Sequence, residues 1–151
     1  MVCLGNICRS PLAEGILQAK VAAQNVDIEV DSAGTAPFHI DDSPDVRSIM
    51  IARKHGVNIT ELRGRQFSPD DFDQFDRIYA MDKSNYDNVI AQARSAEDKA
   101  KVALILNELQ PGSNAEVPDP YYGGDHGFEN VYQMLDEVTD KIIAKYGVYR
   151  A

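Results

Sequence analysis

The chain opens on two cysteines set close to an arginine, in the run Cys3-Leu4-Gly5-Asn6-Ile7-Cys8-Arg9-Ser10-Pro11. A thiolate is a strong nucleophile, and a guanidinium can clasp two oxygens of a tetrahedral phosphate with its planar fork. Gly5 and Asn6 are the residue types that most easily adopt left-handed backbone angles, which lets a chain curl its amides inward around one point. Ser10-Pro11 offers an N-cap and a proline at the first helical position, so a helix is expected to start there and aim its positive end into the same space. A thiol at the floor of such a cradle should be ionised near neutral pH without a separate base. Ser10 could donate its hydroxyl to the sulfur. Attack of sulfur on phosphorus would give a phosphocysteine that water then hydrolyses, two moderate barriers in place of one high one. A Cys and an Arg at this spacing are weak evidence alone; the glycine, asparagine, hydroxyl and proline around them carry the weight.

Cleaving a phosphate monoester also needs a proton for the departing oxygen, worth about 10²–10⁴ in rate when the acid is positioned. Of the 24 acidic residues, Asp119 stands out in Val117-Pro118-Asp119-Pro120-Tyr121-Tyr122, where two prolines stiffen the loop and two aromatic residues follow. Aromatic walls suit an aromatic leaving group.

These residues need elements to hold them. Leu12, Ile16, Leu17 and Val21 repeat with helical spacing to about Gln24, and Ile28-Glu29-Val30-Asp31 reads as a short strand closed by Ser32-Ala33-Gly34. Ser43-Pro44 starts a second helix, with Val46, Ile49, Met50 and Ile51 as its apolar positions and Gly56 as its end. Ser68-Pro69-Asp70-Asp71 resembles a capping box opening a short helical turn. Arg77 to Met81 and Val102 to Leu106 are near-continuous apolar runs, the mark of strands buried on both faces of a parallel sheet, with a helix expected over Lys83 to Ser95 between them. A polar loop, Pro111 to Gly127, precedes a long amphipathic helix from Phe128 to Tyr146. Strands alternating with helices give an open α/β sheet, whose ligands bind where strand turns to helix. The segment after Cys3 is the first such place.

Composition agrees with one globular domain over residues 1–151, since 44% hydrophobic and 26% charged residues rule out disorder and coiled coil. The net charge of −9 argues against nucleic acid or an anionic membrane as partner, because both call for a basic face. With no apolar run long enough for a membrane span and no signal-peptide pattern, a cytoplasmic protein is expected. Two cysteines make no disulfide framework. His39, His55 and His126 are scattered and form no metal-ligand cluster, and neither metal nor cofactor is called for, because arginine and loop amides neutralise the phosphate. His55 beside Gly56 reads as a helix C-terminal cation, and the run Asp70-Asp71-Phe72-Asp73 as a solvated face.

Taken together, Val2 to Pro11 and Asp119-Pro120-Tyr121-Tyr122 resemble the low-molecular-weight protein tyrosine phosphatases. The likeness extends through Asp31-Ser32-Ala33-Gly34-Thr35, Arg65-Gln66, Met81-Asp82, Ser84-Asn85 and Gly127-Phe128-Glu129. It implies a three-layer open sheet of about four parallel strands with helices on both faces and a phosphate-binding loop after strand 1. It implies Cys3 as nucleophile, Arg9 as phosphate clamp, Asp119 as general acid and then base, and tyrosine-phosphorylated proteins as substrates of a monomer. Leu4, Gly5, Asn6, Ile7, Cys8 and Ser10 would bind the phosphate, Asn6 and Ser32 would brace the loop, and Phe38, Tyr121 and Tyr122 would wall the cleft. Cys8 is either the partner that captures an oxidised Cys3 as a disulfide or a buried inert thiol.

The chain departs from the family pattern twice. Family members carry a complete apolar strand before the cysteine, whereas only Met1 and Val2 precede Cys3, so strand 1 is cut short and a start several residues upstream is expected. Leu62 falls where many relatives place a histidine, so one hydrogen bond of the bracing network should be lost or rerouted. Two rival readings are weaker. An arsenate reductase would need further cysteines to resolve its adduct, and a phosphate binder without turnover would have no use for Asp119.

Overall fold

The computed structural model of the chain describes residues 1–122 and 125–150, with the backbone alone for Tyr122 and Asp125. Four parallel strands, β1 (Val2–Cys3), β2 (Ala33–Gly34), β3 (Ile78–Ala80) and β4 (Val102–Leu104), form one sheet in the order β2-β1-β3-β4. The helices are α1 (Arg9–Gln24), α2 (Val46–Lys54), α3 (Asp71–Gln74), α4 (Lys83–Ile90), α5 (Ala96–Ala100) and α6 (Asp125–Tyr146).

Side chains alternate across a strand, and here the alternation divides two apolar cores. Val2, Ile78 and Val102 pack with Phe67, Phe72 and Val89 on the α3–α4 side. Cys3 and Tyr79 pack with Leu12, Ile16, Leu135 and Val138 on the side of α1 and α6. The sheet is thus a middle layer, as expected. Each fully buried aliphatic side chain contributes roughly 1.5–3 kcal/mol, so the Leu12 and Ile16 contacts fix α1 firmly against β1. Among the described residues no helix is long and apolar enough to cross a membrane.

Several boundaries differ from expectation. Residues 28–31 form no strand; β2 lies at Ala33–Gly34 because the register pairs Val2 with Ala33 and Cys3 with Gly34, which leaves 28–31 beyond the end of β1. The stretch 83–95 is helical only to Ile90, where α4 ends; α5 follows from Ala96, capped by Ser95, whose hydroxyl accepts the Asp98 N–H at 3.1 Å. Residues 105–108 turn into a 3₁₀ segment instead of extending β4. On α2, Ile49 and Ile51 pack partly buried against the core as expected, while Val46 and Met50 are largely exposed; the fully buried positions are Ser48 and Ala52, small residues four apart that let α2 approach α1 and α6. Asp71 is no solvated acid: its carboxylate accepts the Ser68 N–H in capping-box fashion and pairs with Arg65, while Phe72 is fully buried. His55 does sit at the α2 C-terminus, where its ring stacks on Tyr132 and pairs with Glu129.

Candidate active site

The strand order β2-β1-β3 reverses direction of growth at β1 and β3, and the crevice at their carboxyl ends is where open α/β sheets bind ligands. Cys3 ends β1 and Asp82 follows β3, so the topology alone brings them to one place. From Cys3 the chain makes a tight loop into α1. Asn6 takes the left-handed conformation (φ 58°), but Gly5 does not; its missing Cβ instead makes room for His39, whose Cδ2 would lie 3.0 Å away. Gly34 has a related role, since a Cβ there would stand 2.8 Å from the Leu4 carbonyl oxygen.

The bracing network has a definite direction. The side-chain amide of Asn6 donates to Ser10 Oγ at 2.7 Å and to Ser32 Oγ at 2.9 Å, and its Oδ1 accepts the Arg65 N–H at 3.0 Å. Ser32 in turn donates to Glu14, whose carboxyl is pushed above its ordinary value by burial, partly opposed by that hydrogen bond. Ser10 Oγ lies 3.0 Å from Cys3 Sγ. Ser10 Oγ accepts from Asn6 and keeps its own O–H, which can donate to the sulfur when that is a thiolate. Ser10 is therefore not the helix cap: α1 starts at Arg9, with Cys8 in the N-cap position and no side-chain cap bond. The amides of the first helical turn face out of the helix end, as a bound anion requires.

Arg9 is buried (2% exposed), and its Nη1 donates to Asp82 Oδ2 at 2.6 Å and to the Val117 carbonyl at 3.0 Å. Its Nη2 stands 3.7 Å from Asp119 Oδ2. The other oxygen of Asp119 accepts the Tyr121 N–H at 2.9 Å. A cleft of about 210 Å³ opens over this group, floored by Cys3, Cys8 and Arg9, with Leu4, Gly5 and Ile7 on the loop side and Phe38, His39, Asp119 and Tyr121 around the mouth. Asn6, Ser10 and Ser32, all buried, stand behind the lining as its support. The side chain of Tyr122 lies outside the described residues.

The two cysteines, both free thiols, differ in environment. Burial first, then the charges of Asp45, Cys3 and Asp119, push the Cys8 thiol up to about 12, so Cys8 stays protonated at neutral pH.

Comparison with known proteins accords with this geometry. The family model for low molecular weight phosphotyrosine protein phosphatases matches residues 1–147. The chain belongs to that family. It is 40% identical over 145 residues to a low molecular weight phosphotyrosine protein phosphatase of Schizosaccharomyces pombe, covering 94% of this chain and 92% of that one. A protein tyrosine phosphatase of Entamoeba histolytica, solved with HEPES in its active site, superposes with a TM-score of 0.88 at 34% identity over 95% of this chain and 92% of its own. A Drosophila arginine phosphatase also superposes with a TM-score of 0.88, at 32% identity over 96% and 94% of the two chains. The family's activity is hydrolysis of phosphotyrosine through a cysteinyl-phosphate intermediate, and this chain is a phosphatase of that kind.

Four residues at the site had not been singled out from sequence for a role in it. Asp82 was readable from its position, because a carboxylate directly after a parallel strand and before a helix points into the ligand crevice. Glu14 follows Ser10 by four on α1 and so faces the same side. His39 and the Arg65 amide carry no comparable signal. Leu62 lies partly buried against the larger core, and Asn6 Oδ1 is filled by the Arg65 N–H.

Proposed function

We propose that Cys3, Arg9 and Asp119 carry the phosphatase reaction as nucleophile, phosphate clamp and acid–base. The observation that carries the assignment is that one cleft is lined at once by the Cys3 sulfur, the Arg9 guanidinium and the Asp119 carboxyl. In the first step Cys3 Sγ, as thiolate, attacks phosphorus while protonated Asp119 gives its proton to the tyrosyl oxygen; the P–O bond breaks and a P–S bond forms. In the second, Asp119 takes a proton from water, the hydroxide oxygen attacks phosphorus, and the sulfur leaves as thiolate with the Ser10 hydroxyl donating to it. Arg9 and the loop amides hold the equatorial oxygens through both steps. Phe38 and Tyr121 at the mouth suit the ring of an aryl phosphate. All three groups come from one chain, which supports catalysis by a monomeric single domain. A thiolate nucleophile needs a reducing compartment, which supports a cytoplasmic location.

The test is turnover of phosphotyrosine and phosphoarginine peptides in EDTA by the intact chain and by Cys3→Ser. Hydrolysis of phosphotyrosine that is lost in Cys3→Ser supports the reading. Binding without turnover, or faster hydrolysis of phosphoarginine, overturns it.

A further inference from the structure

The loop that carries Asp119 is held on both sides of that residue. At its start, the Val117 N–H donates to the Met81 carbonyl at 2.8 Å and the Val117 carbonyl accepts from Arg9. Past Asp119, the Arg47 side chain reaches the loop. Arg47, in the first turn of α2, donates from Nη1 to the Tyr121 carbonyl at 3.1 Å. Its guanidinium lies 5.1 Å from the Tyr121 ring centroid and 4.7 Å from that of the buried Phe128 on α6.

Arg47 is itself held. Its Nε and Nη2 donate to the two oxygens of Asp45, each at 3.1 Å, and Asp45 also caps α2 through the Arg47 N–H at 2.8 Å. The Asp45 N–H donates to the Ile7 carbonyl at 2.8 Å, inside the loop that surrounds the phosphate. An unbroken relay therefore runs from the Ile7 carbonyl through Asp45 and Arg47 to the Tyr121 carbonyl, and from the Tyr121 N–H to Asp119 Oδ1.

We propose that Arg47 is a positioning residue for the general acid, helping to set the register of Asp119 against the phosphate-binding loop through this relay. The inference rests on Asp119 being the acid. Arg47 touches neither the cleft floor nor the reacting atoms; it acts through Tyr121. Only a planar fork can bind both Asp45 oxygens, reach the Tyr121 carbonyl and lie over two rings together, so lysine is a poor replacement. A displacement of an acid by about 1 Å costs on the order of 10²-fold in rate.

The experiment compares kcat/KM for phenyl phosphate, whose leaving group needs a proton, with 2,4-dinitrophenyl phosphate, whose leaving group does not. The ratio of the two within one variant is independent of the fraction of enzyme that folds. Arg47→Ala should lower the ratio by about 10²-fold, Arg47→Lys should not restore it, and in an Asp119→Asn background Arg47→Ala should lower it no further. If Asp119→Asn lowers the ratio and Arg47→Ala does not, or if the two losses multiply, Arg47 does not position the acid. If Asp119→Asn itself leaves the ratio unchanged, Asp119 is not the acid and the inference falls with that assignment.

Discussion

The Asn6 amide donates to Ser10 Oγ at 2.7 Å, and the Ser10 O–H remains available to donate to a Cys3 thiolate 3.0 Å away. With both polar atoms of the Asn6 side chain bonded, Ser10 is held where its hydroxyl can donate to the Cys3 thiolate as it leaves in the second step.

Ser10→Ala should therefore slow hydrolysis of the phosphocysteine more than its formation. A hydrogen bond to a charged group is worth about 1.5–3 kcal/mol, or roughly 10- to 100-fold in rate. Rapid-quench kinetics should show a burst of phenol followed by a slow steady state; a slowed first phase with no burst would place the role of Ser10 elsewhere.

Asp82 serves two partners at once. Its Oδ2 pairs with Arg9, and its Oδ1 caps α4 through the Asn85 N–H at 2.8 Å. Asp82→Asn keeps a cap oxygen and loses the ion pair, whereas Asp82→Ala loses both. Urea unfolding should rank wild type above Asp82→Asn above Asp82→Ala, the last two separated by about 1 kcal/mol for the cap. Equal stability of the two variants would show that the cap contributes nothing.

Glu14 gives the protein a pH dependence of known sign. Burial raises its carboxyl in the folded state above the ordinary value of 4.5, so the native protein holds a proton that the unfolded chain releases. Its contribution is complete below the unfolded value and is lost as pH rises through the elevated one. Glu14→Gln should remove that decline from a plot of stability against pH above about 4.5. A decline unchanged in Glu14→Gln would assign it to another group.

Cys8 should be silent to alkylation. Its thiol, pushed up to about 12, stays protonated near neutral pH. Peptide mapping after iodoacetamide treatment of the native protein should find modification at Cys3, blocked by inorganic phosphate, and none at Cys8. Label at Cys8 would contradict its buried, protonated state.

The phosphate loop was legible because its chemistry is local: cysteine, asparagine, arginine and serine lie within one turn and the first turn of α1, and residue type alone assigns each a task. Asp119 was legible through its stiff aromatic loop. What was not legible depends on partners far along the chain. Whether Ser10 caps a helix or faces a sulfur is decided by Asn6 and β1 packing, not by propensity. Arg47 comes to the site through the α2 docking angle, which periodicity does not encode. Strand positions suffered similarly: Ile28 to Asp31 have strand character, but pairing is set by the register of β1. The α2 stripe held for Ile49 and Ile51, which pack against the core, and failed for Val46 and Met50, because the fully buried contact positions are the small residues Ser48 and Ala52.

The central claim is that phosphate passes through Cys3 Sγ. Acid quenching during turnover of a radiolabelled phosphotyrosine peptide, with Ser10→Ala to prolong the intermediate, followed by peptide mapping, tests it directly. The label should sit on the peptide bearing Cys3, stable in acid, and vanish in Cys3→Ser together with activity. Label on any other residue, or undiminished turnover by Cys3→Ser, would contradict the account.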